Sequence, residues 1–268
     1  MSLGISVHRN LDELVSAFVA DFAAVLHRTR TGLVVLSTSP ISLAVVDRLV
    51  QANALGTVAA SYLRFVASDE FYPPVDPLLP TNRSILTERF LTPLSIDSSR
   101  LRSFDPNALS TVEECRSMDV FLETAGPALL YVGEIDASGR IGQVQPGTSY
   151  GSRCHIACIP DRADSADILF GRPQRTPCAM TLGLHEFSRA DRGLVAASGA
   201  EAGASIRKSL TGLVNEDLPC GVLRFCRSVH LLLDEAAGRT LGDDLLRRFA
   251  VDTRDSVTAD LPPPFFAG

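Results

Sequence analysis

The sequence lacks the features that define several large classes of protein. No apolar run approaches the ~20 residues that a membrane-spanning helix needs. The opening stretch MSLGISVHRN has no apolar core of the kind found in signal peptides. The net charge of −6 and the pI near 5.4 disfavour a surface for nucleic acid or anionic membranes. We therefore expect a cytoplasmic protein that binds a small molecule, with no nucleic-acid or membrane partner.

Motifs for nucleotides and metals are also missing. Neither Gly-x-x-x-x-Gly-Lys-Ser/Thr nor Gly-x-Gly-x-x-Gly occurs, so no common nucleotide loop is indicated. The six cysteines include no Cys-x-x-Cys pair. A metal site made of Cys154, His155 and Cys158, with Cys178, is one interpretation, and reduced, mostly buried thiols are the other. The spacing favours the thiols, and we expect neither a metal nor a cofactor.

What the sequence does contain is an alternation of helical and strand patterns. Apolar residues recur with helical spacing over 11–29, and GLVVLS (32–37) is a continuous apolar run typical of a strand buried on both faces. Further strands are predicted at 57–67, 127–132, AMTLGL, GLVAAS and VHLLLD, with helices near 40–50, 82–90, 111–124, 201–213 and 235–249. This order predicts an α/β fold, namely a Rossmann-like, doubly wound, mostly parallel central sheet with helices on both faces. We expect one domain over 1–268, with tails at 1–9 and 261–268.

Four polar stretches follow predicted strands. They are Ser37–Pro40, Ser68–Phe71, Gly133–Ser149 and Gly183–His185. Ligands of open parallel sheets bind beyond the carboxyl ends of the strands. We therefore expect these stretches to line one cleft, although they lie far apart in the sequence.

Two of these stretches have residue types suited to ligand chemistry. In STSP, free backbone N–H groups, the helix dipole and the hydroxyls of Ser37, Thr38 and Ser39 can bind an anion, and an ordinary helix N-cap is the alternative. Asp69 and Glu70 can supply a base that removes a proton next to a carbonyl, and solvated loop acids are the alternative.

Five segments then occur in a recognisable order. STSPISL is similar to a Gly-Ser or Gly-Thr-Pro phosphate loop, and SDEFYPPVDPLLPTNRSILTERFLTPLSID to an Asp-Glu-Tyr segment with its loop and helix. GPALLYVGEIDASGRIGQVQPGTSYGSR is similar to Gly-x-Gly-x-Asp-Gly-His-Ile-x-Phe-Asn-Glu-Pro-Gly-Ser-Ser followed by Ser-Arg. TPCAMTLGLHEFSRADRGLVAASG and LPCGVLRFCRSVHLLLDEAA are similar to a Pro-x-x-Ala-x-Thr-x-Gly strand and a segment ending in Asp-Glu-x-Ala. Together they resemble the glucosamine-6-phosphate deaminase/isomerase family, which shares its fold with 6-phosphogluconolactonase.

The resemblance implies a sugar-phosphate ligand and a proton carrier. Asp69 matches the carboxylate that moves a proton between C1 and C2 of the sugar. The serine and threonine hydroxyls of STSP match the phosphate loop, and Glu70 follows the catalytic acid. Contacts to the substrate are also expected from the loop residues Ser138, Gly139, Arg140, Gln145 and Thr148.

Departures from the family pattern fall on the groups that open the sugar ring. The family's loop Asp falls on Ser138, its ring-opening His on Arg140, and the Glu that tunes this His on Gln145. The family's phosphate-binding Lys falls on Ala202, and a family Arg that also binds phosphate falls near Asp167. Arg stays protonated and cannot exchange a proton near neutral pH, so we expect little ordinary deaminase turnover.

Two histidines are candidates to compensate for this loss. His185 follows Gly183 at the carboxyl end of a predicted strand, whereas His155 lies within one and is the weaker candidate. Three functions remain open: a divergent isomerase-like enzyme that uses Asp69, a lactone hydrolase of the 6-phosphogluconolactonase type, and a non-catalytic binding or regulatory protein that retains the pocket. A homo-oligomer is also expected.

Overall fold

A computed structural model describes residues 2–29, 31–54, 60, 62–74, 80–159 and 178–251. Seven strands form its central sheet, in the order β1-β10-β9-β6-β2-β3-β5, and every pairing among them is parallel. The predicted doubly wound α/β fold is thereby confirmed. The strands of this sheet are β1 (Ser2–His8), β2 (Leu33–Leu36), β3 (Arg64–Ala67), β5 (Leu101–Arg102), β6 (Leu130–Ile135), β9 (Gly193–Ala197) and β10 (Ser228–Asp234).

Helices cover both faces of this sheet because its strands are apolar on both sides. On one face, Val34 and Leu36 of β2 pack with α1 (Leu11–Arg28) and α2 (Pro40–Ala54). On the other face, Leu33 and Val35 pack in a core with α4 (Thr111–Ala125), α5 (Leu184–Arg189), α6 (Ala200–Thr211) and α7 (Glu235–Leu241). The alternation of side chains along a strand therefore divides one apolar run between two cores.

A second, smaller sheet lies beside the first. It contains β4 (Asp69–Tyr72), β8 (Cys178–Thr181) and β7 (His155–Cys158), in the order β4-β8-β7, and both pairings are antiparallel. The acidic stretch SDEF was expected to be a loop after a strand, but most of it is itself strand β4. The strand predicted from AMTLGL exists, although it is antiparallel to its neighbours.

The ends of the chain and several element boundaries also differ from expectation. Residues 1–9 are not a tail, because Ser2–His8 pair along their whole length with β10 as an edge strand. The helix expected at 235–249 is two helices, α7 and α8 (Asp243–Arg248), which meet at Gly242. The helix expected at 82–90 is α3 (Asn82–Leu86) followed by a π-helical turn, Thr87–Leu91. The predicted tail at 261–268 and part of the strand predicted at 57–67 lie outside the described residues.

Over the described ranges, no helix is both long and apolar enough to cross a membrane.

Candidate functional site

The order of strands in the central sheet locates its ligand edge. From β2 the chain adds β3 and β5 on one side, and from β6 it adds β9 and β10 on the other. The direction therefore reverses between β2 and β6, and open α/β sheets bind ligands at the carboxyl ends of the strands beside such a point. The segments that leave β2, β3 and β6 at this edge begin at Ser37, Ser68 and Asp136.

The loop after β2 forms an ordered helix start. The N–H of Ser39 donates to Ser37 Oγ at 3.1 Å, and Ser39 Oγ donates to Ser42 Oγ at 2.9 Å. Pro40 then begins α2, and the N–H of Leu43 closes the first helical bond on the Ser39 carbonyl at 2.9 Å. The stretch STSP is thus a helix N-terminus beside the switch point, with Ser37 buried and Thr38 half-buried. This geometry fits both interpretations of STSP made from the sequence, an anion-binding loop and an ordinary helix N-cap.

A carboxylate from the neighbouring strand occupies that N-terminus. Glu134 lies near the end of β6, and its Oε2 accepts the N–H of Ile41, in the first turn of α2, at 3.2 Å. The Ser39 side chain lies close to the same carboxyl group. Burial raises the pKa of Glu134, and the charge of Asp136 adds to this rise. The hydrogen bond from Ile41 and the nearby Ser39 side chain oppose it.

The sequence analysis did not single out Glu134. An acid in an otherwise apolar strand was the available sign, because such a residue needs a partner. In the family motif quoted above, Glu134 and Asp136 stand where the Gly-x-Gly precedes the loop.

Asp69 is a buried acid at the start of the small sheet. This residue is only 4% exposed to solvent. Ser68 Oγ donates to Oδ1 at 2.5 Å, and Asn82 Nδ2 donates to Oδ2 at 3.0 Å. Tyr131 of β6 is buried nearby, and after burial itself the charge of Asp69 is the next cause that raises the pKa of Tyr131. Asp69 is therefore oriented by Ser68 and Asn82 just beyond the end of β3, the strand that pairs with β2.

Glu70 is buried and bound by backbone N–H groups. It is 1% exposed, and its carboxylate accepts the N–H groups of Phe71, Asn82 and Arg83 at 3.1–3.2 Å. Burial raises the pKa of Glu70, and these three hydrogen bonds oppose the rise. The carboxylate thus joins β4 to the first turn of α3, which keeps Asn82 beside Asp69.

The register of the small sheet aligns three polar residues. Thr181 pairs with Asp69 on one side and with His155 on the other. Directly opposed residues point to the same face, and two strand spacings separate the outer pair by about 10 Å. His155 Nδ1 hydrogen-bonds to the Arg153 carbonyl at 2.8 Å, so Nδ1 carries a hydrogen. The buried Nε2 of this histidine has no hydrogen-bond partner among the described residues.

The loop after β6 is held in a tight turn by Asp136. Its Oδ1 accepts from the N–H of Ser138 at 2.9 Å, from Ser138 Oγ at 2.7 Å and from the N–H of Arg140 at 3.0 Å. Gly139 has φ of +79°, and a Cβ there would lie 3.0 Å from the Sγ of Cys220. Both its conformation and its close packing therefore require glycine.

Arg140 is not free to act as an isolated cation. Its Nε donates to Asp136 Oδ2 at 2.6 Å in an ion pair, and its other end is 3.5 Å from Gln145 Oε1. The Gln145 amide donates to the Gln143 carbonyl at 2.9 Å. The Asp136 carboxylate thus gathers Ser138 and Arg140, and Gln145 contacts the far end of Arg140.

The loop also contacts the small sheet. A Cβ on Gly142 would lie 3.5 Å from the Oγ1 of Thr181, the residue paired with Asp69. Loop residues Ile141 and Val144 are buried in the same core as Met180 and Leu182. Thr181 therefore lies between Gly142 of this loop and Asp69.

His185 belongs to a different local network. It lies in the first turn of α5, and its Nε2 is 3.4 Å from the Arg189 guanidinium on the same helix. Its N–H donates to the Ser152 carbonyl at 3.1 Å, and Gly183 allows this approach because a Cβ there would lie 2.0 Å from the same carbonyl oxygen. Within the described part of the chain, the hydrogen bonds of His185 go to Ser152, Ser188 and Arg189, and none reaches Asp69 or 136–149. The small-sheet register instead places His155 nearer to Asp69 than the sequence suggested.

The remaining predicted positions have structural surroundings. Thr148 donates its N–H to the Gln145 carbonyl at 3.2 Å, within the turn that ends the loop. Ala202 is fully buried in α6, so this position offers no cation to the ligand edge. Position 167 lies outside the described residues.

The cysteines do not converge on a metal site in the part of the chain that the structure describes. All six are free thiols, and no three His, Cys, Asp or Glu side chains there form a metal-binding group. Cys158 and Cys178 are directly opposed on β7 and β8, with their Sγ atoms 3.2 Å apart.

Comparisons with known proteins agree with the motif order. No protein-family model matches the chain. A glucosamine-6-phosphate deaminase of Bacillus subtilis is 30% identical over 149 residues, which are 53% of this chain and 60% of that protein. A glucosamine-6-phosphate deaminase of an Arthrobacter species is 26% identical over 85% of this chain and 88% of its own length. The first relatives are thus matched over only 50–60% of their length.

Solved structures confirm the fold over a longer span. A monomeric glucosamine-6-phosphate deaminase superposes with a TM-score of 0.77 at 22% identity, over 90% of this chain and 100% of that one. The 6-phosphogluconolactonase of Trypanosoma brucei gives a TM-score of 0.72 at 18% identity, over 90% and 99%. The similar structures therefore include both enzyme types that the sequence resemblance named.

Proposed function

Because the chain is a divergent relative of the glucosamine-6-phosphate deaminases, we propose that it binds a sugar phosphate or a related sugar derivative at the switch point and that Asp69 moves a proton on it. The observation that supports this most is the environment of Asp69. It is a buried carboxylate, hydrogen-bonded by Ser68 and Asn82, at the carboxyl end of a central strand. Such placement orients a base toward a carbon acid in a ligand.

The same site lacks the groups for ordinary ring opening. Arg140 stands at the position of the family's histidine and is paired with Asp136, so it cannot accept and return a proton. Ser138 and Gln145, at the positions of the family's Asp and Glu, contain no carboxylate. A substrate that enters in its open-chain form, whether aldose or ketose, does not need the ring-opening groups and can react by proton transfer at Asp69. We therefore propose an aldose–ketose isomerase type of chemistry in place of ordinary deamination.

Two other functions remain candidates. A non-catalytic sugar-binding protein is favoured by the pairing of Arg140 with Asp136, since this loop is ordered without the family's acid–base set. A lactone hydrolase is favoured by the fold shared with 6-phosphogluconolactonases. We also propose that the protein is cytoplasmic and forms a homo-oligomer.

Proton exchange separates these candidates. Fructose and fructose 6-phosphate are incubated with the protein in deuterated water, and the exchange of hydrogen at C1 is followed by NMR. We expect exchange with at least one of them, and a loss of ~10²–10⁴-fold in Asp69→Asn, which is the usual contribution of a positioned base. Asp243→Asn, the same change at an exposed helix position, serves as the control.

The outcomes discriminate directly. Exchange that persists in Asp69→Asn contradicts the proposed role of this residue. A wild-type protein that is stabilised by these sugars but exchanges no proton supports the binding protein. Acid release from 6-phosphogluconolactone without sugar exchange supports the hydrolase.

A further inference from the structure

The helix N-terminus beside the switch point already has an anion. A helix N-terminus attracts negative charge because its first N–H groups lack partners within the helix. In α2 the first turn contains no acid of its own, yet the N–H of Ile41 is bonded to Glu134 from the neighbouring strand. The helix start that would receive a phosphate is thus neutralised by the protein itself.

The surrounding charges also disfavour phosphate at this helix start. Asp69, Glu70, Glu134 and Asp136 all lie at the ends of β3, β6 or β4 near the switch point. Arg140 is the cation of the adjoining loop, and its Nε is paired with Asp136 at 2.6 Å. The buried Ala202 supplies no further positive charge. A phosphate entering here would meet carboxylates and a guanidinium that is already partnered.

We propose that Glu134 determines ligand specificity, by excluding phosphate from the start of α2 and accepting a hydroxyl or ammonium group of an unphosphorylated sugar or amino sugar there. This inference rests on the proposed site, and it narrows the ligand class expected from the sequence. A carboxylate has about four lone-pair positions, and the described contacts use those facing Ile41 and Ser39. A hydroxyl or ammonium can donate to the remaining ones, whereas an ionised phosphate oxygen has no hydrogen to donate.

The physical reason for the exclusion is that a phosphate would have to displace Glu134. The carboxylate and the phosphate would compete for the same N–H of Ile41, and a close pair of negative charges in a partly buried site repels strongly. Specificity in proteins commonly comes from such a repulsive element as well as from attractive contacts.

Calorimetric titration with glucosamine and with glucosamine 6-phosphate tests the inference. The wild type is expected to bind glucosamine at least about tenfold more tightly than its 6-phosphate. In Glu134→Gln the amide oxygen can still accept from Ile41 but the charge is gone, so affinity for the phosphate is expected to rise about tenfold or more. Glu88→Gln removes one charge from an exposed helical position and should leave both affinities unchanged.

A second variant guards against local rearrangement. Glu134→Ala removes the side chain, and it should shift the preference in the same direction, with thermal unfolding used to confirm that each variant is folded. The inference is overturned if the wild type binds the phosphate at least as tightly as glucosamine, if neither charge-removing variant gains phosphate affinity, or if no variant binds either sugar. The first two results would overturn only the specificity inference and leave the role of Asp69 in proton exchange standing. Conversely, sugar binding without Asp69-dependent exchange would overturn only the role of Asp69.

Discussion

The two sheets of the molecule bury different kinds of side chain. In the seven-stranded sheet, β2 and β9 are buried at every position, and all of these residues are apolar or glycine. In the three-stranded sheet, β4 begins with buried Asp69 and Glu70, and β8 ends in buried Thr181. Apolar burial stabilises a fold without direction, whereas buried polar groups require partners at fixed positions. The first sheet therefore contributes mainly apolar burial, and the second holds buried polar side chains at fixed positions.

The largest effect on stability is expected in the central sheet. Phe65 of β3 is fully buried and packs edge-on against Phe90, with ring centroids 5.1 Å apart. Phe65→Ala should lower the free energy of unfolding by ~3–5 kcal/mol, because it removes buried area and leaves a cavity. Urea denaturation measures this, with the exposed Tyr62→Ala as a control expected within ~0.5 kcal/mol of wild type. Equal losses in the two variants would contradict the stabilising role assigned to the buried Phe65.

An intermediate effect is expected in the polar sheet, at Glu70. Glu70→Gln should lower stability at neutral pH by ~1–3 kcal/mol, because an amide N–H₂ then faces one of the backbone N–H groups that the carboxylate accepts. The same denaturation series gives this value. A variant as stable as wild type would show that the three hydrogen bonds do not hold β4 to α3.

The pH dependence at Glu70 has a definite sign. Burial raises the pKa of Glu70 in the folded protein, so the folded state binds this proton more tightly than the unfolded chain does. As pH falls from neutral through the raised pKa, wild-type stability should therefore gain a contribution that Glu70→Gln lacks. Denaturation of both proteins between pH 7 and pH 5 checks this, and a difference that shrinks toward acid would contradict the assigned direction.

The smallest effect on stability is expected at the sulfur pair of the polar sheet. Cys158→Ser, at an exposed strand position, should change the free energy of unfolding by no more than ~0.5 kcal/mol. Hydrogen peroxide should nevertheless convert Cys158 and Cys178 to a disulfide, releasing two waters per peroxide, since their Sγ atoms are 3.2 Å apart. Burial and the neighbouring thiol raise the pKa of Cys178 to about 11, so the reaction should be faster at alkaline pH.

Thiol titration checks this prediction. Wild type should lose two of its six titratable thiols on mild oxidation, and Cys158→Ser should form no intramolecular disulfide between these strands. Loss of the buried Cys115, Cys220 or Cys226 first would contradict it.

The same comparison explains what the sequence could predict. Five strands of the central sheet, β2, β3, β6, β9 and β10, were predicted from apolar runs, whereas the two-residue strand β5 was not predicted. The helices were predicted from apolar spacing and from caps such as Asn10, which accepts the N–H of Glu13. Strand β1 was missed because SLGISVH alternates polar and apolar residues at the sheet edge. Strand β4 was missed because its first two residues are acids whose partners, Asn82 and Arg83, lie in a later helix.

The site was predictable in position more than in contacts. Strand order places the ends of β2, β3 and β6 together, as expected from their alternation with helices. Sequence spacing could not show that Glu134 reaches Ile41 or that Asp136 pairs with Arg140, because these contacts depend on strand register and on the turn at Gly139. The role of each predicted site residue remains a prediction that the proposed experiments test.

Supplying glucosamine 6-phosphate to the purified protein and following ammonia and fructose 6-phosphate tests the central claim most directly. The claim is that this site retains the proton-transfer carboxylate without the ring-opening set. Release of both products should stay barely above background, since the loss of a positioned acid–base group alone typically costs ~10²–10⁴-fold. Efficient turnover that is abolished by Asp69→Asn would contradict the account.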